Sequence, residues 1–301
     1  MNKVTIIGSI NLDRTIKAKR IPEGGETLHA DEIFTAGGGK GANQAVASAR
    51  LGADTHLIGA VGQDADGKNL LADLAKDGVN VDAVVKLADL QTGQAFIMLD
   101  ANSENRIMVY GGANLGMPDE QVIKHKQIIS DSDFVVAQFE MQESNIIAGF
   151  KLARESNTVT VLNPAPAKKM SPELLALTDV IIPNETEAAL LTGVKVEDEA
   201  GMLKASQKLH ELGIKVVLIT VGSKGTFYSY AGKTGLIPAF KVKAVDTTAA
   251  GDTFIGAFCS YLKPDFSNLE EAITFSNKAS SLTVQREGAQ PAIPFLKEIN
   301  L

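Results

Sequence analysis

Residues 133–163 read DFVVAQFEMQESNIIAGFKLARESNTVTVLN, and this stretch decides the fold. Its two ends, 133–139 and 158–163, are short apolar runs rich in Val, which predict buried β-strands. The segment between them, 143–156, has apolar residues at helical spacing and predicts an amphipathic helix. A strand, a helix and a second strand in this order are typical of a parallel pair joined by a helical crossover.

The same alternation extends over most of the chain. Further strands are predicted at 4–10, 55–62, 179–184 and 215–222, and further helices at 41–52, 67–78 and 201–213. Apolar strands that alternate with helices indicate an α/β fold with a central, mostly parallel sheet sandwiched by helices. Ligands in such folds bind outside the carboxyl ends of the strands.

Two segments, 11–40 and 92–112, interrupt this rhythm. The second contains the alternating runs TGQAFIMLD and NRIMVYGG, joined by ANSE, which predict a hairpin. Together the two segments predict a small antiparallel β lid beside a core made of 1–10, 41–91 and 113–301; the alternative is an edge extension of the main sheet. No linker divides the core into independent domains.

Composition excludes several classes of protein. The 301 residues carry a net charge of −7, which argues against a nucleic-acid partner. No segment approaches the ~18 apolar residues of a membrane span, so we expect a cytoplasmic protein with no membrane partner. Cys259 is the single cysteine and is predicted to be a buried small hydrophobe. The four His residues have no metal-ligand spacing.

One motif is misleading. GQDADGKN (62–69) nearly matches the phosphate loop G-x-x-x-x-G-K-[ST], but Asn69 stands where the loop needs a hydroxyl. Its two Asp residues would also repel phosphate. We interpret it as an ordinary strand-to-helix turn.

The stretch AGGGKGANQAVASARLG (36–52) has the composition of a polyol site. Its glycines allow a ligand to approach the backbone, and Lys40 and Asn43 offer donors beside a helix start. Asn11 and Asp13 follow the first strand in GSINLD (8–13) and supply acceptors. The alternative is a Gly-rich turn with a solvated lysine.

DTTAAGD (246–252) combines small residues with two carboxylates before an apolar helix that is predicted to begin at Gly251 or Asp252. The N–H groups of residues 249–252 would then point out of the helix N-terminus and form an anion hole for a transferring phosphoryl group. Asp252 would stand where it can take a proton from an attacking hydroxyl. Helix capping alone would explain Asp252, but not the Ala-Ala-Gly before it.

Six segments resemble those of the phosphofructokinase-B family of carbohydrate kinases. They run in order over nearly the whole chain, from about residue 3 to residue 295, and the GGKGAN and DTxAAGD signatures are specific. The segments are GSINLD (8–13), GGGKGANQAVASARLGA (37–53), NPAPA (163–167), PNETEA (183–188), LITVGSKG (218–225) and DTTAAGDTFIGA (246–257).

This resemblance implies that ATP phosphorylates the 5-hydroxyl of D-ribose, with Asp252 as the catalytic base. The alternatives are a sister kinase acting on deoxyribose or fructose, and a non-catalytic sugar-binding regulator. The matching positions imply an anion hole at Ala249, Ala250 and Gly251. They also imply a sugar site made of Asn11, Asp13, Gly39, Lys40, Asn43, Glu140 and Asp252.

The resemblance also implies the nucleotide and metal sites. Glu187 would hold Mg²⁺ through water, and the β lid would form a homodimer interface. Ala292 is a departure, because relatives commonly have a hydroxyl there that serves the potassium site. The implied nucleotide residues are Asn184, Thr220, Gly222, Ser223, Gly225, Gly251 and Asn277, and the implied K⁺ residues are Asp246, Thr248, Thr283, Arg286 and Gly288.

Overall fold

The central sheet has ten strands and lies between two layers of helices. The structure is a computed structural model and describes residues 1–101 and 105–300. The strands of the central sheet are β1 (Lys3–Ile7), β4 (Asp54–Gly62), β5 (Val79–Asn80), β6 (Val84–Leu87), β9 (Phe134–Gln138), β10 (Val159–Asn163), β11 (Val180–Ile181), β12 (Val216–Thr220), β13 (Thr226–Tyr230) and β14 (Lys233–Ile237).

The sheet is mostly parallel, as the strand–helix alternation predicts. Its order is β14-β13-β12-β11-β10-β9-β1-β4-β5, with β6 paired to β4. All pairs from β12 through β4 to β5 and β6 are parallel. Only β13 and β14, at one edge, pair antiparallel. The carboxyl ends of the parallel strands therefore meet at one edge of the sheet.

Helices cover both faces of this sheet. The helices are α1 (Lys40–Arg50), α2 (Ala65–Lys76), α3 (Ala113–Gly116), α4 (Asp119–Lys124), α5 (Lys126–Ser130), α6 (Glu143–Glu155), α7 (Pro172–Leu177), α8 (Glu185–Thr192), α9 (Glu199–Glu211), α10 (Ala250–Tyr261) and α11 (Leu269–Thr283). On one face α1, α2, α10 and α11 share a core with Ile6, and on the other α6, α8 and α9 share a core with Ile7. The neighbours Ile6 and Ile7 point to opposite faces, as strand geometry requires.

Four further strands are β2 (Asn11–Lys17), β3 (Glu32–Gly38), β7 (Gly93–Leu99) and β8 (Asn105–Tyr110). They form a separate sheet with the order β3-β2-β7-β8, so this sheet is not an edge extension of the main sheet. The predicted hairpin is present, because β7 and β8 pair antiparallel. The prediction of a purely antiparallel sheet is wrong at one junction. There β2 and β7 are parallel, since both begin beside the main sheet and run outward.

Two smaller predictions are confirmed by the structure. Cys259 is fully buried, and burial raises the pKa of its thiol. GQDADGKN is an ordinary turn in which the Asp64 carboxylate caps α2 by accepting from the Gly67 N–H at 2.7 Å. Among the residues that the structure describes, no helix is both long and apolar enough to span a bilayer. The ANSE turn falls largely on 102–104, outside the described residues.

Candidate active site

Close backbone packing places the start of α1 against the end of β1. A Cβ on Gly41 would lie 2.4 Å from the Gly8 carbonyl carbon, so only glycine permits this approach. Gly39 has a φ of 87°, a left-handed conformation that glycine adopts without strain. The Gly-rich stretch therefore brings Lys40 to the carboxyl edge of the main sheet, beside the first strand of the small sheet.

The predicted sugar residues collect at this junction. The Glu140 carboxylate Oε2 accepts from the Ser9 hydroxyl at 2.6 Å and from the Lys40 backbone N–H at 3.0 Å. Asn11 accepts from the Asn114 Nδ2 at 2.7 Å. Ser9 and Asn114 are both buried supports that the sequence analysis missed.

Asp13 lies on β2 among other carboxylates. Burial, followed by the nearby charges of Glu140 and Asp252, raises the pKa of Asp13 to about 7. Gly38, on the neighbouring strand β3, leaves room for this side chain, because a Cβ there would lie 2.1 Å from Asp13 Oδ2. The Asp13 carboxyl group is therefore poised to change charge near neutral pH.

Lys40 supplies the opposite charge. Burial works against the charged amine, but the carboxylates of Asp252, Glu140 and Glu187 outweigh it and raise the pKa of Lys40. The ammonium is consequently fixed in its charged form at neutral pH. A cation held among three carboxylates is suited to the phosphoryl oxygens and hydroxyls of a polar ligand.

The late helix begins at Ala250, one residue before Gly251 and two before Asp252, the two predicted starts. α10 begins at Ala250, and Ala249 is its N-cap in the left-handed conformation with a φ of 58°. The Ala250 N–H donates to the Thr247 carbonyl at 3.2 Å, so this group serves the turn rather than the predicted anion hole. Gly251 and Asp252 occupy the first turn, where N–H groups have no partner within the helix.

Asp252 is buried and held by two amides of α1. Its Oδ2 accepts from the Asn43 Nδ2 at 3.0 Å, and its Oδ1 accepts from the Gln44 Nε2 at 2.9 Å. Asn43 is a predicted site residue, whereas Gln44 was missed. Asp252 thus faces the Gly-rich segment, and it is more than a helix cap.

The nucleotide-side residues of PNETEA form a capping box at the start of α8. The Asn184 Oδ1 accepts from the Glu187 N–H at 2.8 Å, and the Glu187 Oε2 accepts from the Asn184 N–H at 2.9 Å. Burial raises the pKa of Glu187, while the Asn184 hydrogen bond and Lys40 oppose that rise. Asn184 also bridges to Thr220 at the end of β12.

A cavity of about 220 Å³ joins these groups. Lys40 reaches it from the Gly-rich segment, and residues 249–252 form one wall. Its lining residues are Lys40, Asn163, Ala165, Ile182, Asn184, Glu187, Thr220, Thr247, Ala249, Ala250, Gly251, Asp252 and Ile255. A larger cavity of about 480 Å³ lies near Tyr230 and Phe266, and none of the predicted site residues lines it.

The remaining nucleotide residues lie outside the lining of the smaller cavity. Gly222 and Ser223 form an exposed 3₁₀ turn that ends at Gly225, which has a φ of 116°. Asn277 is buried in α11, where its amide accepts from the Thr226 hydroxyl at 2.8 Å and donates to the carbonyls of Ile237 and Pro238. Its side chain therefore braces β13 and β14.

The predicted K⁺ residues come from two segments. Asp246 and Thr248 lie in the turn before α10, and Thr283, Arg286 and Gly288 lie at and after the C-terminal end of α11. The Asp246 Oδ1 accepts from both the N–H and the hydroxyl of Thr248, and Oδ2 accepts from the Gly288 N–H at 2.9 Å. These hydrogen bonds lower the pKa of Asp246 against the effect of burial. The Thr283 carbonyl accepts from the Arg286 N–H at 3.0 Å, and an Arg286 Nη1–H donates to the Ala292 carbonyl at 3.4 Å.

Comparison with known proteins gives a consistent result. The family model for pfkB family carbohydrate kinases matches residues 1–296. The chain is 50% identical to a ribokinase from Staphylococcus aureus, over 99% of each chain, and 31% identical to a deoxyribokinase from Salmonella typhi, over 99% of this chain and 97% of that protein. The structure of Arabidopsis thaliana ribokinase complexed with ribose and ATP superposes with a TM-score of 0.93, at 34% identity, covering 98% of this chain and 96% of that one.

Proposed function

The chain belongs to the pfkB family of carbohydrate kinases, and we propose that it transfers the γ-phosphoryl group of ATP to the 5-hydroxyl of D-ribose, giving D-ribose 5-phosphate and ADP. One observation carries this proposal. Lys40 of the Gly-rich segment, Asp252 with the start of α10, and Asn184 with Glu187 all line the same cavity. A base, a cation and a helix N-terminus around one polar cavity suit phosphoryl transfer.

Asp252 acts as the general base. Its carboxylate takes the proton of the 5-hydroxyl while the sugar oxygen bonds to the γ-phosphorus and the bond from that phosphorus to the ADP oxygen breaks. The N–H groups of Gly251 and Asp252 at the α10 N-terminus donate to the oxygens of the transferring group, where negative charge spreads. Ala249 and Ala250 line the same wall of the cavity, and their small side chains leave room for that group.

The sugar site lies between the end of β1, the small sheet and α1. Asp13 and Asn11 accept from the secondary hydroxyls, and Lys40 and Asn43 donate. Glu140 fixes the Lys40 backbone through the 3.0 Å hydrogen bond, and Gly39 admits the ligand close to the chain. Holding the sugar at several points orients its terminal hydroxyl toward Asp252.

The nucleotide approaches from the other side of the cavity. Asn184 and Thr220 line it, the turn at Gly222, Ser223 and Gly225 covers the nucleotide, and Asn277 supports that region through β13 and β14. Glu187 lines the same cavity, and its carboxylate suits Mg²⁺, which usually keeps several of its waters, so it would hold the ion through water. When bound, Mg²⁺ neutralises phosphate charge.

K⁺ is the proposed monovalent activator. Asp246 supplies two carboxylate oxygens. Backbone carbonyls near Thr283, Arg286 and Gly288 supply the others, and the Gly288 N–H ties their segment to Asp246 by a hydrogen bond. These oxygen donors suit a hard cation, and Ala292 contributes no hydroxyl. Asp246 and Thr248 lie directly before the start of α10. A cation that fixes the conformation of this turn would therefore also fix the backbone of the anion hole.

The small sheet is the proposed homodimer interface. The strand register places Phe34, Ile97 and Ile107 in one row across the sheet, on the same face as Asp13. Phe34 and Ile107 are both exposed, and so is Val109, which lies two residues further along β8 on the same face. An exposed apolar face of this kind is typical of an association surface, and a second copy would also shield the sugar site.

The test is sugar-dependent ADP release by wild type and by Asp252→Asn. The amide should be tolerated, because the Asn43 Oδ1 is buried without a partner and can turn to accept from it. We expect normal folding and a fall in kcat of about 100-fold or more. Near-wild-type turnover would overturn the assignment of the base.

A sugar panel separates the rival functions. The similarity to a deoxyribokinase favours deoxyribose as the second candidate. Higher kcat/KM for deoxyribose than for ribose would transfer the proposal to that sugar, and sugar binding without ADP release would indicate a regulator. Omission of K⁺ in a parallel series, with Na⁺ as the control, tests activation.

A further inference from the structure

Two fully buried glutamines are connected to the candidate base, Asp252, by hydrogen bonds. Gln44 lies in α1 and Gln138 ends β9, and neither has solvent exposure. Burying an amide is unfavourable unless its polar atoms find hydrogen-bond partners. Gln44 contacts Asp252 and Gln138 contacts Gln44, and the sequence analysis predicts neither as a site residue.

Their hydrogen bonds form a chain with one direction. The Gln138 Nε2 donates to the Gln44 Oε1 at 2.6 Å. The Gln44 Nε2 donates to the Asp252 Oδ1 at 2.9 Å and to the Asn163 Oδ1 at 3.2 Å. An ionised carboxylate only accepts, so Gln44 must present its nitrogen to Asp252 and its oxygen to Gln138. Gln138 must then present its own nitrogen, which leaves its Oε1 buried without a hydrogen-bond partner.

Close packing keeps this chain in place. A Cβ on Gly256, one turn after Asp252, would lie 2.7 Å from the Gln44 carbonyl oxygen and 2.5 Å from the Ala47 Cβ. A Cβ on Gly8 would lie 2.4 Å from the Gln138 Oε1. These glycines let α10 and β1 approach the two amides closely, which leaves little freedom for either side chain to move.

We propose that Gln44, held in one orientation by Gln138, is a positioning residue that fixes the Asp252 carboxylate for proton transfer. This role rests on the proposed function of Asp252 as the base. Gln44 touches neither sugar nor nucleotide in this account. Gln138 acts one step further away, by preventing the amide of Gln44 from turning over.

The first test is Gln44→Met, which has a similar length and no donor. We expect kcat to fall at least tenfold, while the KM values for ribose and ATP stay within about twofold. The carboxylate loses a donor that orients it, so the chemical step should suffer while substrate binding does not. A purely structural role would not produce this split between kcat and KM.

The second test is Gln138→Glu, which changes the direction of the chain with pH. While the introduced carboxyl group is protonated, it donates to Gln44 as Gln138 does, and activity is retained. Once it ionises it can only accept, so Gln44 must turn its oxygen toward Asp252. We expect kcat to fall on the alkaline side, where wild type shows no such fall.

Asn145→Leu is the matched control. Asn145 is equally buried and donates to the Met117 carbonyl and to Asp119, away from Asp252. Its loss should lower the melting temperature without lowering kcat tenfold. An unchanged kcat in Gln44→Met, with Asp252→Asn inactive, would overturn this inference alone. An active Asp252→Asn would instead overturn the proposed function.

Discussion

Asp13 carries a charge that its surroundings make sensitive to pH. Because its pKa is raised to about 7, the free protein holds this group protonated at pH 6 and ionised at pH 8. Hydrogen bonds from sugar hydroxyls favour the ionised acceptor, so ribose affinity should fall as pH falls through 7. We expect roughly tenfold weaker binding at pH 6 than at pH 8, measured by calorimetry without nucleotide.

Asp13→Asn provides the comparison. The variant should bind ribose more weakly at pH 8 and lose the dependence between pH 6 and pH 8. Buffers of different ionisation enthalpy should report proton release on binding to wild type near pH 7. If Asp13→Asn kept the same pH dependence, Asp13 would not be the titrating group.

Some residues of the candidate site can be identified from the sequence, and others cannot. Asp252 and Lys40 lie in motifs whose local composition predicts an anion site, so they could be found without a structure. Gln44 and Gln138 are 94 positions apart and meet only because β9 and α1 pack together. Ser9 and Asn114 were likewise missed, because a buried polar residue gives no local signal about its partner.

The cap of α8 is an element-scale feature that can be tested separately from catalysis. Asn184→Ala removes the side-chain acceptor for the Glu187 N–H. We expect the free energy of unfolding to fall by about 1 kcal/mol in chemical denaturation. Asn184→Ser, which restores a capping oxygen, should recover most of this loss. Equal destabilisation in both variants would contradict a capping role.

The packing of α1 on α10 is the second element-scale feature. Gly256→Ala would force the new methyl group against Ala47 and the Gln44 backbone. We expect a loss of about 1–3 kcal/mol in unfolding free energy, together with lower kcat as the two helices move apart. Gly24→Ala is the control, since no atom lies within 4 Å of its added Cβ. Wild-type stability in Gly256→Ala would show that the interface relaxes without strain.

Strands with strong apolar runs were the easiest elements to predict. The runs at 133–139 and 215–222 were assigned correctly, whereas the edge hairpin of β13 and β14 was not. Its turn places Ala231 at a φ of 49° and Gly232 at a φ of 76°. Alanine is uncommon at such a position, so the usual Asn-Gly or Gly-Gly signal was absent. The short strands β5 and β6 depend on pairing with β4 and have no local pattern of their own.

At the scale of the whole molecule, the candidate site lies where two sheets meet. The main sheet supplies Glu140 and Asn184 near its carboxyl edge, and the small sheet supplies Asn11 and Asp13 from β2. The α/β class followed from the sequence because alternation is a property of each segment. The parallel junction of β2 and β7 did not, because it joins segments more than 70 positions apart.

The two faces of the small sheet allow a matched test of dimerisation. Ile107 and Met108 are neighbours on β8, are 54% and 61% exposed, and point to opposite faces. Ile107 shares the face of Asp13, so Ile107→Glu should place like charges against each other in a two-fold interface and yield monomers by light scattering. Met108→Glu should remain dimeric. A monomeric wild type would contradict the proposal, and dissociation by Met108→Glu alone would move the interface to the other face. Because the second copy would shield the sugar site, the Ile107→Glu monomer should also show a raised ribose KM.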